Sequence, residues 1–266
     1  MSGDEVVVLL VSTVCTFWFW GAWYLRPVLV RHVGRRPSGR LLLHVTPLLV
    51  AAILWVVLKS ASSFDVRDDP KYLALYLLLG AAWVGFFVRL LAVAGISTRD
   101  DVVERANRSA AIAVAGAMLA IALCYAGGNI GDGPGWWVVV FAAGLATLAL
   151  FAAWMLLELF SGVSETVTVD RDAAAAVRLA GFLIACGVVL GRAVAGDWES
   201  AEMTLRDFAA VAWPVLALVV VGVVVERLAR PTTETPRPSL VTFGLVPALM
   251  YLGVAIYYVQ RLGIPV

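Results

Sequence analysis

Eight apolar runs, each about as long as a bilayer is thick, leave this chain few folds to choose from. They lie at 6–30, 41–59, 72–96, 109–128, 136–160, 173–196, 208–230 and 240–262. A helix that crosses the hydrocarbon core needs about 20 mostly apolar residues, and shorter runs belong to ordinary core helices. Backbone in lipid must satisfy its N–H and C=O groups internally, so runs of this length are helices. A membrane barrel would show short alternating strands instead, and no such alternation is visible. The composition agrees: 62% of residues are hydrophobic and 15% charged, against about 45–50% and about 25% in soluble domains. The expected fold class is therefore all-α, a polytopic integral membrane bundle of about eight transmembrane helices, with the lipid bilayer as its first partner.

The loops between the runs carry an orientation. Arg and Lys collect on the cytoplasmic side of a membrane protein. One side holds Arg26, Arg31, Arg35, Arg36, Arg40, Arg99, Arg105, Arg108, Arg171, Arg227, Arg230 and Arg237; the other holds Lys59, Arg67, Lys71, Arg206 and Arg261. That bias predicts both termini on the non-cytoplasmic side. The acidic start Met1–Glu5 and the long run that follows it differ from a cleaved signal, which opens with basic residues and a short apolar stretch. A net charge of +1 and no basic tail give no reason to expect nucleic acid. Four prolines inside the runs, Pro27, Pro47, Pro214 and Pro247, mark expected kinks, and Pro231–Pro238 is a polar loop that no helix should cross.

The second half of the chain matches itself at a shift of 65 positions. Arg105–Asp132 aligns without a gap to Asp170–Asp197, and the pairs Ala115/Ala180, Gly116/Gly181, Gly131/Gly196 and Asp132/Asp197 are identical. Each block opens a two-helix unit entering from the same side, so the reading is a parallel tandem repeat. It divides the chain into an N-terminal three-helix region (1–97), a first repeat (98–165), a second repeat (166–230) and a C-terminal helix (231–266). Ala111, Ala115 and Gly116, with Ala176, Ala180 and Gly181, form small-residue faces that Gly187 and Gly191 extend. Such faces let helices approach closely in lipid, and helix packing is their expected role.

The repeated polar-x-x-Ala-Ala-x-x-x-Ala-Gly helix resembles the bacterial membrane family called domain of unknown function 350. Glu104, Asn107, Ala110, Ala111, Ala115 and Gly116 carry the first copy; Asp172, Ala175, Ala176, Ala180 and Gly181 carry the second, with Asp172 where Asn is more usual. The resemblance covers about residues 98–230. It implies a bacterial inner-membrane protein of unassigned biochemistry, whose relatives sit in gene neighbourhoods associated with envelope stress.

Motifs for common chemistry are missing. There is no phosphate-cradling glycine loop with its Lys, no paired-His zinc motif and no Cys/His cluster, and His32 and His44 are the only histidines. Cys15, Cys124 and Cys186 fall inside apolar runs, where Cys behaves as a small hydrophobe. No catalytic residue, cofactor or metal is expected, and the chain is read as a non-enzyme. Charges inside the runs are the remaining signal, because they are costly in lipid and face the bundle or a wet cavity. Arg89 and Arg178 sit roughly 8–10 Å deep from the same side, counting 1.5 Å per residue. Glu158, Glu226, Asn107 and Asp172 fall near that level. Either the arginines snorkel to phosphates and Glu158 pairs with one of them, or Arg89, Asn107, Glu158, Asp172, Arg178 and Glu226 line a vestibule for an anion or lipid head group, with a proton or ion relay as the third reading.

Two features remain at the other face. The segment Ala126–Trp137 has five glycines and a proline and reads as an outer turn, or as carbonyls lining an ion path. Arg192 is placed to pair with Asp132 or Asp197. Three functions stay open on these grounds. The first is a membrane component or scaffold that packs with itself or other membrane proteins; the second is a channel or transporter. The weakest is a lipid enzyme, for which Glu158 and Asp172 are the one acid/base pair available.

Overall fold

The computed structural model describes residues 1–29, 39–232 and 238–263. Arg31, His32, Arg35, Arg36, Pro236 and Arg237 lie outside the described residues, as does most of the Pro231–Pro238 loop. The described residues are all-helical apart from turns and one isolated bridge between Ser62 and Gly131. The eight runs become eight helical crossings of 20–28 residues. Crossing one is α1 (Gly3–Leu29) and crossing two is α2 (Arg40–Ser60); the short α3 (Phe64–Asp68) follows. Crossing three is α4 (Pro70–Phe87), continued by a 3-10 segment, Val88–Ala94, and then a π turn, Thr98–Glu104. Crossings four and five are α5 (Arg108–Gly127) and α6 (Trp136–Ser161); the short α7 (Val163–Thr168) leads into crossing six, α8 (Ala173–Ala193). Crossing seven is α9 (Ala201–Ala212) with α10 (Pro214–Leu228), and begins earlier than residue 208 because Ser200 caps α9. Crossing eight is a π turn, Val241–Leu245, followed by α11 (Val246–Leu262).

The centre of the bundle is α5 and α8. Of their apolar windows, 78% and 72% of residues are buried, against 6% for α1. They make the most extensive helix contact in the molecule, and α2 packs on the free side of α5 as α11 does on that of α8. The even-numbered crossings thus stand in a row in chain order. Outside them α1 packs on α4, and α10 on α6. Small residues explain the row. A Cβ on Gly116 would stand 2.5 Å from Ala180 Cα, one on Gly187 would stand 2.8 Å from the Ala120 carbonyl oxygen, and one on Gly191 would reach the Leu123 carbonyl. Gly181 gives the same access to Ala248 of α11. Ala111 and Ala176 are buried beside these contacts, and Ala115 and Ala180 partly so. At such distances dispersion between backbones holds helices that have no hydrophobic drive toward each other in lipid.

Three of the four prolines fall where the structure breaks or frees helix hydrogen bonds. Proline has no N–H, so the carbonyl four residues earlier loses its donor. Pro47 lies inside α2, and the Leu43 carbonyl accepts instead from Trp23 Nε1 at 2.9 Å. Pro247 opens α11, and the Phe243 carbonyl accepts from the Arg178 guanidinium. Pro214 separates α9 from α10, and near that break the Val211 carbonyl accepts from the Tyr258 hydroxyl at 3.0 Å. At Pro47 and Pro247 the freed carbonyl therefore tethers a neighbouring helix.

Candidate functional site

Backbone geometry repeats at the starts of α5 and α8. Ala106 and Arg171, 65 residues apart, have φ of 50° and 56°, a left-handed conformation that is uncommon for residues other than glycine. Each is followed by a capping side chain. Asn107 accepts from the Ser109 and Ala110 N–H groups, and Asp172 from those of Ala174 and Ala175. The approach to each cap repeats as well. Asn107 N–H donates to the Asp101 carbonyl and Asp172 N–H to that of Thr166, both at 3.0 Å. The caps differ in one respect. The amide of Asn107 also donates to the Val167 and Thr168 carbonyls at 2.9 and 3.1 Å. Ser109 Oγ donates to the Arg171 carbonyl. The first cap thereby ties itself to the loop that carries the second.

Of the six residues of the expected vestibule, Arg178 and Glu226 meet each other, and the other four are held elsewhere. Asn107 and Asp172 are spent on helix N–H groups, as above. Glu158 pairs with neither arginine: its carboxylate accepts from Ser164 N–H at 2.8 Å and Ser164 Oγ at 2.6 Å, closing the turn between α6 and α7. Arg178 is 0% exposed, so it does not snorkel. It grips Glu226 of α10 with two parallel hydrogen bonds of 2.9 and 2.7 Å, and its remaining arm reaches the Phe243 carbonyl. A buried guanidinium is stable here because a carboxylate and an orphaned carbonyl take its donors. This three-helix clamp joins α8, α10 and the π turn ahead of α11. Register alone could not reveal it, since depth fixes neither helix rotation nor which acid faces which base.

Arg89 stands apart on the α1 side. It is exposed, and its guanidinium lies 4.1 Å from the centre of the Phe19 ring. It borders a groove of about 280 Å³ between α1, α2, the 3-10 segment and the π turn at Thr98. None of the other five expected residues lines that groove. Its remaining lining includes Trp20, Trp23, Arg26, Thr98 and Arg99, none of which was expected as part of a site. A signal was available: Phe19, Trp23 and Arg26 follow at i, i+4 and i+7, one face of a helix. In the sequence, Arg26 and Arg99 stand out only as loop charge. The Arg99 Nε donates to Glu104 at 2.9 Å; that bond and the Glu104 charge push the arginine further above its ordinary pKa.

At the opposite end the glycine segment forms a turn, with Gly131 and Gly135 at φ of 100° and 146°. It pairs with its counterpart 65 residues on: Gly196 N–H donates to the Ile130 carbonyl and Trp198 N–H to that of Asp132. Asp197 accepts from Asp132 N–H at 2.8 Å. Arg192 joins neither aspartate, donating to the Gly263 carbonyl instead. Among the described residues no group of three His, Cys, Asp or Glu side chains is placed to hold a metal. Comparison of the chain with family models, curated proteins and solved structures returned no match in any of the three.

Proposed function

We propose that this protein is a non-enzymatic component of a bacterial inner membrane, a scaffold whose bundle serves to hold its own helices and those of membrane partners in place. The observation that carries this reading is the fate of the intramembrane charges. Arg178 and Glu226 neutralise each other within hydrogen-bond distance, and their spare donor goes to a backbone carbonyl. Asn107, Asp172 and Glu158 are likewise engaged with backbone or neighbouring side chains. A conduction or transport site needs polar groups that exchange partners with a passing ion. The central helices meet backbone to backbone at Gly116, Gly187 and Gly191, which favours packing over a lumen.

The equivalent caps, left-handed residues and loop bonds at a 65-residue spacing support a tandem duplication of a two-helix unit. They also keep the likeness to domain of unknown function 350 as the family reading, and with it a part in envelope maintenance. Both termini are assigned to the non-cytoplasmic side on the arginine bias of the loops.

Reconstitution in liposomes tests the scaffold reading. Ion flux is expected to equal that of protein-free vesicles, while a self-complex or a membrane-protein partner persists in mild detergent. Selective flux that Glu226→Gln abolishes in a protein that still folds would overturn the scaffold and install the transporter.

A further inference from the structure

The groove beside Arg89 has the chemistry of a phosphate site. Three guanidinium groups, those of Arg26, Arg89 and Arg99, border it, and no carboxylate among the described residues does. Arg26 and Arg89 have no ion pair among the described residues, and Arg99 uses its Nε on Glu104.

The wall that α1 gives the groove is aromatic. Trp20 and Trp23 contact each other edge to face, and their N–H groups are already bonded to the Ala81 and Leu43 carbonyls. Those bonds fix the rings and leave apolar surface facing the groove. Depth matches as well. Arg26 lies three residues before the end of α1, and Arg89 five residues before the end of the 3-10 segment that completes the third crossing. At 1.5–2.0 Å per residue that is within roughly 10 Å of the helix end, where lipid phosphates sit.

We propose that this groove binds the phosphodiester of an anionic phospholipid, with Arg26, Arg89 and Arg99 on the phosphate oxygens and the two tryptophans against the glycerol and first acyl carbons. Basic pockets between membrane helices recognise such head groups. Free phosphate offers the same oxygens but leaves the aromatic wall unused.

Native mass spectrometry of the full chain, released from detergent with phosphatidylglycerol, phosphatidylcholine or inorganic phosphate, tests the assignment. Retention of phosphatidylglycerol over phosphatidylcholine is expected. Arg26→Gln and Arg89→Gln should each weaken it by about fivefold or more, and Arg99→Gln by a smaller factor, because Glu104 already holds its Nε. Arg206→Gln, which removes an exposed arginine of α9 at the other end, should leave retention unchanged. Should Arg89→Gln fail to fold because Phe19 loses its cation, Arg26→Gln and Arg99→Gln carry the same test. Equal retention of the two lipids, with the groove variants matching Arg206→Gln, overturns the site. Tight binding of inorganic phosphate with no preference between the lipids overturns the lipid as its ligand.

Discussion

Arg178 and Glu226 show why an intramembrane charge is poor evidence of transport until its partner is known. Removing one member of a buried pair strands the other in a low-dielectric interior, at a cost of about 3–5 kcal/mol. Arg178→Met and Glu226→Gln are therefore each expected to lower the unfolding temperature in detergent markedly. The double variant Arg178→Met/Glu226→Met should recover most of the loss; if it is as unstable as the sum of the singles, the pair is not the unit described here. The two capping residues make a second contrast. Asp172→Ala removes a helix cap, worth about 0.5–2 kcal/mol. Asn107→Ala removes a cap and two further bonds to the Val167 and Thr168 carbonyls, so it should destabilise more. Equal losses in thermal unfolding would mean that the bonds to the Val167 and Thr168 carbonyls contribute nothing.

Between helices, prolines and glycines do opposite work. A proline frees a carbonyl, and another helix supplies the donor. Trp23→Phe leaves the Leu43 carbonyl unsatisfied, which costs about 1–3 kcal/mol for a buried group. In a Pro47→Ala background the restored N–H at position 47 takes that carbonyl, so Trp23→Phe should then cost much less. A loss independent of background would show that the indole acts through packing alone. Glycines at the α5–α8 contact remove side-chain volume where backbones meet. Gly116→Ala should destabilise by about 1–3 kcal/mol through overpacking. Gly253→Ala on α11, where a Cβ meets nothing within 4 Å, should be neutral or slightly stabilising through helix propensity. A denaturation series of the two variants decides whether close approach or propensity governs these positions.

At the scale of the whole molecule, the proposed orientation, with both termini on the non-cytoplasmic side, rests on eight apolar helices and the arginine bias of the loops. Single cysteines at exposed Ser2 and Asp68 are expected to react with a membrane-impermeant maleimide in intact cells, and one at Asp170 only after permeabilisation. The reverse pattern would invert the topology. Hydropathy alone determined the number of crossings, because a run of 20 apolar residues has no other stable place than a bilayer-spanning helix. The 65-residue spacing and the small residues of α5 and α8 were legible too, since close helix approach leaves its mark in residue size. That Pro47 and Pro247 would each orphan a carbonyl was implicit in the sequence; that Trp23 and Arg178 answer them was not. Only the tertiary structure could decide how each helix is rotated about its axis. That rotation turned Arg178 toward Glu226 and left Glu158 on its own turn. It set Arg89 against Phe19, in a groove with Arg26 and Thr98. Depth in the bilayer is written along the chain, whereas the facing of side chains is fixed by packing across it.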